Sequence, residues 1–359
     1  MKITIKLMIV LIFGITAMIP VAPAAGKVLI KVQSVTPISL PVVGTALKSF
    51  ADKVEQMSGG EIVIELYDPG KLLPTSADVL YAVSKGIIQA GYASTGHWVG
   101  KMPAAVIFAS VPFGPEVPEF LAWWYYGNGS KLHDGMYEHY GFNAIGMPIC
   151  FLPPETSGWF KKEIKTLDDL KGLKMRFYGL GGKVMEALGA SVTLLPAGEL
   201  FSALEKGVID ATEFSMPAID TKLGLYKIAK YNYYPGWHQQ ATAEVVIFNK
   251  DLWNNKLTPG QRLMIETAAK AAVLESVAEG EGSQAPVIEA NAKERGVHNM
   301  YWSDECLTAF ESKWKVIIEE QRAADEYFKK VWDDLAAFRK KYSHWNRLAF
   351  LPRPTGPIE

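Results

Sequence analysis

Residues 82–90 read Ala-Val-Ser-Lys-Gly-Ile-Ile-Gln-Ala, and residues 203–211 read Ala-Leu-Glu-Lys-Gly-Val-Ile-Asp-Ala. Five of the nine positions are identical. In both, a helical stretch ends on Lys-Gly and passes at once into β-branched residues. Gly86 and Gly207 each suit a left-handed helix cap, after which a strand starts. A helix–Lys–Gly–strand joint is common in α/β folds, so the match alone is weak. It gains weight because the elements around the two joints follow in matching order.

Ahead of the first joint the chain opens with a strand, Val28 to Val32. A helix follows, with Val43, Leu47, Phe50, Val54 and Met57 on one face, and Gly59-Gly60 ends it. Then come an alternating strand, Ile62 to Tyr67, a helix near Ala77 to Ser84, and an apolar strand, Ile87 to Tyr92. Ahead of the second joint, Asp168-Asp169-Leu170-Lys171-Gly172 leads into a strand, Leu173 to Phe177. Gly179-Leu180-Gly181-Gly182 then forms a loop into a helix, Lys183 to Leu188, and a strand runs from Val208 to Ala211. This alternation predicts an α/β fold of two lobes, each with a largely parallel sheet.

Beyond Pro259 the pattern is helical from residue 261 to about 294. A long helix is then expected from about Leu307 to Lys341. Trp314, Ile317, Ile318, Gln321, Ala324, Phe328, Val331, Leu335, Phe338 and Tyr342 lie on its apolar stripe, mostly at spacings of three and four. That stripe must be buried, either on the chain's own second lobe or on a partner subunit. The tail from Leu351, with Pro352, Pro354 and Pro357, is too rich in proline for a core element.

The first residues point to export. Lys2 and Lys6 precede an apolar run from Leu7 to Val21, followed by Ala22-Pro23-Ala24-Ala25. A charged start, a short apolar stretch and a small-residue site read as a secretory signal peptide over 1–25. About 330 residues of the 359 remain, more than one ordinary core holds. The formal net charge is −1 and no basic stripe appears, which argues against nucleic acid as a partner. Cys150 and Cys306 make no disulfide framework and no metal-ligand spacing.

Catalytic signatures are missing. No GxSxG, HExxH, P-loop or EF-hand pattern occurs. The Gly179–Gly182 loop lacks the third glycine of a dinucleotide loop, but a helix N-terminus there is a ready anion site. His133 and His139 read as surface residues, while His97 and His238 adjoin Trp98 and Trp237. Arg176 ends a strand just before the Gly loop, where it can pair bidentately with a carboxylate or simply be a surface cation. Glu213 follows a strand's C-terminal end, where open α/β sheets bind ligands, or it is an exposed loop carboxylate. Glu155 and Gln239 lie in turns marked by Pro and Trp. Two carboxylates with amide and backbone oxygens would suit a hard cation, though the spacing does not show that they meet.

Several stretches carry a resemblance. They are His97-Trp98-Val99-Gly100-Lys101, Val111-Pro112-Phe113-Gly114, Ser157-Gly158-Trp159-Phe160 and Gly172-Leu173-Lys174-Met175-Arg176. They continue with Gly179–Gly182, Gly207-Val208-Ile209-Asp210-Ala211-Thr212-Glu213 and Tyr234-Pro235-Gly236-Trp237-His238. In this order the chain, from about Val28 to about Tyr342, resembles the DctP-type solute-binding subunits of tripartite ATP-independent periplasmic (TRAP) transporters. It is most similar to the subgroup that takes 2-oxo acids or lactate with a metal ion.

The resemblance implies a two-lobe periplasmic binding-protein fold with hinge-crossing strands and long C-terminal helices. It implies lobe I at 26–148, completed by about 240–275, and lobe II at 149–239, completed by about 276–305. A long helix at 306–345 and a tail at 346–359 follow. The implied function is capture of a small monocarboxylate, a 2-oxo or 2-hydroxy acid, by lobe closure in the periplasm, for delivery to TRAP membrane subunits. Arg176 then holds the carboxylate, and Glu155, Glu213, the Phe214 carbonyl and Gln239 hold the metal. His97 and Trp98, with Tyr92 and Trp159, line the ligand. The ion is Ca²⁺ or Na⁺; Glu155 replaces a usual Gln, and two carboxylates favour the divalent ion. Phe214 replaces a usual Trp, and Ala218 stands where a larger aromatic is common, which predicts a pocket roomier than pyruvate needs. The C-terminal helix allows a homodimer. Rival readings are a metal-dependent periplasmic enzyme acting on a carboxylic acid, and a binding protein of the ATP-driven (ABC) importer type.

Overall fold

The computed structural model describes residues 27–351, so the signal-peptide reading and the tail from 352 lie outside the described residues. The strands are β1 Val28–Ser34, β2 Ile62–Tyr67, β3 Ala90–Ala93, β4 Ala144–Leu152, β5 Gly158–Phe160 and β6 Lys174–Arg176. They continue with β7 Ser191–Thr193, β8 Ala211–Thr212, β9 Tyr231–Tyr234, β10 Thr242–Asn249 and β11 His298–Tyr301. They form two sheets, ordered β2-β1-β3-β10-β4 and β11-β9-β5-β8-β6-β7.

The two Lys-Gly joints fold alike. Gly86 and Gly207 adopt φ of 69° and 73°, a left-handed conformation that costs glycine little. The Ile87 amide donates to the Ala82 carbonyl and the Val208 amide to the Ala203 carbonyl, each at 2.9 Å. Both are the six-to-one bond of a Schellman cap. Each joint delivers a strand, β3 or β8, that pairs parallel with the strand opening its unit, β1 or β6.

The strands start later than the apolar patterns indicated. Ile87 and Val208 are exposed within the turns, so β3 starts at Ala90 and β8 at Ala211. The Gly179–Gly182 stretch is not a loop but the first turn of helix Gly179–Ala187. The C-terminal stripe is carried by two helices, Asp304–Ala324 and Glu326–Ala349, rather than one, and the second runs past residue 345. Asp325 breaks them. Its backbone is extended, and its side chain accepts from the Phe328 amide and the Tyr140 hydroxyl, both at 2.7 Å. An Asp that caps a new helix overrides a periodicity that continues through it.

The chain passes from one sheet to the other three times. Residues 153–157 join β4 to β5, residues 235–241 join β9 to β10, and helix Pro259–Arg295 leads on to β11. This 37-residue helix packs on β4 and helix Val43–Met57, and beyond them on helix Pro217–Lys222. The C-terminal pair braces both lobes: Asp304–Ala324 lies on helix Gly179–Ala187, and Glu326–Ala349 on helices Ala105–Ala109, Val117–Tyr126 and Gly129–His139. Trp314, Ile317, Phe328, Val331 and Leu335 are buried there, each contributing about 2 kcal/mol of apolar burial. His133 is also buried, against Phe108, Trp124 and Tyr137, contrary to the surface reading; His139 is exposed. Cys150 and Cys306 are buried free thiols.

Candidate binding site between the lobes

The site forms where strand ends and crossovers converge. β6 ends in Arg176 and β8 runs into Glu213, and the Glu213 amide donates to the Arg176 carbonyl at 3.0 Å. The first crossover holds Glu155 and the second Gln239. They are tied directly, the Glu155 amide donating to the Gln239 carbonyl at 3.1 Å. The Thr156 amide donates to the Ser215 carbonyl at 3.2 Å, which joins the first crossover to the segment after β8. Four segments distant in sequence are thereby fixed around one point.

Arg176 and Glu213 form a buried ion pair, Nη1 to Oε2 at 3.0 Å, and the same Nη1 donates to the Glu213 carbonyl. The Tyr178 amide, just before helix Gly179–Ala187, also donates to Glu213 Oε2 at 3.0 Å. The anion at this helix start is therefore the protein's own carboxylate. Burial alone would raise the Glu213 carboxyl, but Arg176 and His238 hold it below its ordinary value. Among the described residues Glu155 pairs with no Arg or Lys, and of the basic side chains only His238 stands near it, 3.9 Å from its Oε2. Burial, then Glu213 and Asp220, push its carboxyl well above the usual range. Its Oε1 accepts from the Thr242 hydroxyl at 3.1 Å, and the Gln239 amide nitrogen donates to that hydroxyl at 2.8 Å.

Within this cluster Glu155 Oε2, Glu213 Oε1 and Gln239 Oε1 are buried and accept no hydrogen bond. His238 Nε2 lies 3.6 Å from Glu213 Oε1 and 3.9 Å from Glu155 Oε2, and these three groups lie within 4.8 Å of one another. Unpaired buried carboxylate and amide oxygens are costly by themselves and are the donor set a hard cation takes. The residues present therefore fit a Ca²⁺- or Na⁺-class ion.

Beside this cluster lies a cavity of about 530 Å³, walled from both lobes. Ser34, Ser94 and His97 face it from one side, and Tyr178, Leu195 and Pro196 from the other. Arg176, Glu155, Phe214 and Gln239 also line it. The Phe214 ring sits 5.2 Å from the Arg176 guanidinium. Burial and the Arg176 charge lower His97 to about 4, so its ring is neutral at pH 7. The Tyr178 hydroxyl donates to Ser94 Oγ at 2.9 Å and ties the two lobes across the cavity.

Three residues expected at the ligand are elsewhere. Trp98 is a core residue whose indole donates to the Ser76 carbonyl at 3.1 Å. Tyr92 donates to the Val43 carbonyl, and Trp159 to Asp220 Oδ2 at 2.8 Å; none of the three lines the cavity. Ala218 is buried and does not line it either, so its small side chain adds no room there. His238, noted in the sequence only for adjoining Trp237, lies between the two carboxylates, while Tyr178, Thr242 and Glu244 belong to the site with no sequence reading behind them. For Glu244 a signal existed: it is the one charge in the apolar run Ala241 to Phe248.

The sequence profile described as bacterial extracellular solute-binding protein, family 7 (DctP), matches residues 34–325. The chain belongs to this family, the TRAP solute-binding proteins. The monocarboxylate 2-oxoacid-binding periplasmic protein of Nostoc sp. is 37% identical to it over 305 residues, 84% of this chain and 81% of the relative. A TRAP solute-binding protein of Bordetella bronchiseptica, with calcium and picolinate bound, superposes with a TM-score of 0.86 at 27% identity, over 90% of this chain and 95% of that one. One from Pseudoalteromonas atlantica, with sodium and pyruvate, gives a TM-score of 0.84 at 29% identity, over 90% and 97%. Among the described residues of this DctP protein, no helix is long and apolar enough to cross a membrane.

Proposed function

We propose that this DctP protein captures a small monocarboxylate, a 2-oxo or 2-hydroxy acid, together with a metal ion, and delivers it to TRAP membrane subunits without turning it over. One observation carries the reading. Arg176 commits Nη1 to Glu213, yet its buried Nε has no partner, beside three unpartnered buried oxygens and a cavity between the lobes. Such a site takes an anion and a cation together. The Nostoc relative's 2-oxoacid and the sodium–pyruvate and calcium–picolinate pairs of the two solved structures support that chemistry.

Arg176 receives the carboxylate, and Glu213 keeps the guanidinium oriented. Glu155 Oε2, Glu213 Oε1, Gln239 Oε1 and the Phe214 carbonyl would hold the ion. When bound, the ion would supply a hard positive charge that offsets the negative charge of the acid. Neutral His97 offers a hydrogen bond without adding charge. The Tyr178–Ser94 bond closes the lobes over the ligand, and contact with both lobes is what favours the closed state.

Export with loss of residues 1–25 belongs to the same proposal. So does the division into lobe I at 26–148 with 240–275 and lobe II at 149–239 with 276–305, although β4 stays in the first sheet as far as Leu152. The apolar stripe is spent inside one chain. A homodimer would therefore use the exposed end of the last helix, Trp345 and Leu348, and light scattering showing only monomer would exclude it.

Thermal unfolding, chelated and then with Ca²⁺ or Na⁺, against a panel of monocarboxylates tests the function. A ligand that binds only the folded state raises the melting temperature. A shift that needs both acid and ion supports the shared site. Acid without metal dependence leaves Arg176 alone as the anchor, and chemical change of the bound acid, read by NMR, restores the enzyme reading.

A further inference from the structure

Glu244 has no part in the clamp just described. It lies on β10 two residues beyond Thr242, so the two side chains share a sheet face, spaced by about 7 Å. Thr242 is the hydroxyl that organises Glu155 and Gln239. The pairing of β10 with β4 shifts register between Glu244 and Val245, opposite Cys150 and Pro148. Such irregularities recur beside binding sites because they re-aim a side chain.

Glu244 is 5% exposed and lines the cavity, and its Oε2 has no partner. The groups around it do not satisfy that atom. The Ser94 backbone hydrogen-bonds the carboxyl, and the Tyr92 hydroxyl is committed to Val43. Among the described residues Arg176 is the only Arg or Lys lining the cavity, and it pairs with Glu213. A buried polar oxygen beside such a cleft costs free energy until a partner arrives. Burial pushes the carboxyl up to about 8, so it carries a proton over much of the neutral range.

We propose that Glu244 is a specificity-determining residue: it receives a hydroxyl carried by the acid beyond its chelating head. This rests on the monocarboxylate reading above and names a narrower class of solute, hydroxylated 2-oxo acids. A hydroxyl fits because it can donate to a carboxylate or accept from a carboxylic acid, and so satisfies Glu244 in either protonation state. A methyl in that position leaves Glu244 unpaired. The cavity of about 530 Å³ leaves room for a chain longer than pyruvate.

Isosteric pairs test this by calorimetry at saturating Ca²⁺: 3-hydroxypyruvate against 2-oxobutanoate, and 4-hydroxy-2-oxobutanoate against 2-oxopentanoate. In the native protein the hydroxylated member of at least one pair should bind about tenfold or more tighter. Glu244→Gln can still pair with a hydroxyl and should keep the preference. Glu244→Leu should reduce it to about threefold or less. No preference in either pair of the native protein, or a preference that survives in Glu244→Leu, overturns the proposal. If the deoxy acids bind with metal dependence but no hydroxyl preference appears, only the role of Glu244 falls. If none of the four acids binds, the monocarboxylate reading falls with it.

Discussion

Replacing Arg176 separates its two tasks. Arg176 is 4% exposed and its partner Glu213 is fully buried. Arg176→Met removes the guanidinium from both Glu213 and the ligand. Breaking one side of a buried pair costs about 3–5 kcal/mol of stability. Two charge-assisted hydrogen bonds to the ligand carboxylate, at about 1.5–3 kcal/mol each, are also lost. At 1.4 kcal/mol per decade, that lowers the affinity for pyruvate by about 100-fold or more. Arg176→Lys keeps a charge for Glu213 but loses the planar fork. It should retain most of the stability and still lose about tenfold or more in affinity. Thermal unfolding and calorimetry with pyruvate at saturating Ca²⁺ read the two effects. The methionine variant should also gain more melting temperature from Ca²⁺ than the native protein does, because its Glu213 lacks a counter-charge. Pyruvate affinity within threefold of native in Arg176→Met would refute the carboxylate clamp.

Three further outcomes follow from the geometry. Glu155→Gln removes the carboxylate facing Glu213, so Ca²⁺ affinity should fall about tenfold or more with little change for Na⁺; equal losses for both ions would count against the charge-balance reasoning. A Cβ at Gly96 would overlap the Tyr178 hydroxyl, so Gly96→Ala should hold the lobes apart and abolish the contraction expected when pyruvate binds, which small-angle X-ray scattering would read, while an unchanged contraction would remove Tyr178 from closure. Glu244 is raised from 4.5 to about 8 in the fold, so the stability it confers is fully present below about pH 4 and is lost as pH rises through about 8. The chelated protein should therefore lose melting temperature from pH 5 to 9, and Glu244→Gln should flatten that slope; an unchanged slope would assign the dependence to other groups.

What the sequence revealed was local. The Lys-Gly joints identified two like units because a glycine cap leaves the same mark wherever it occurs. Arg176 and Glu213 stood out because strand ends in α/β folds face the cleft. Glu155 and Gln239 carried little signal of their own in turns marked by Pro and Trp, and drew their roles from the family resemblance. They meet because two crossovers, more than 80 residues apart in the chain, run side by side, and no periodicity encodes that. Trp98 was misplaced because an aromatic beside a cleft residue looks the same whether it faces the cavity or the core. The C-terminal stripe continued unbroken through Asp325, where only the cap chemistry marks the break.

The site's central claim is that acid and ion share it. Calorimetric titration of pyruvate into the mature protein, first with chelator and then with saturating Ca²⁺, tests that directly. Affinity should rise by about two orders of magnitude or more when the ion is present, in keeping with a chelated rather than a merely neighbouring charge. Equal affinity in the two titrations would contradict the shared site at Glu155, Arg176, Glu213 and Gln239.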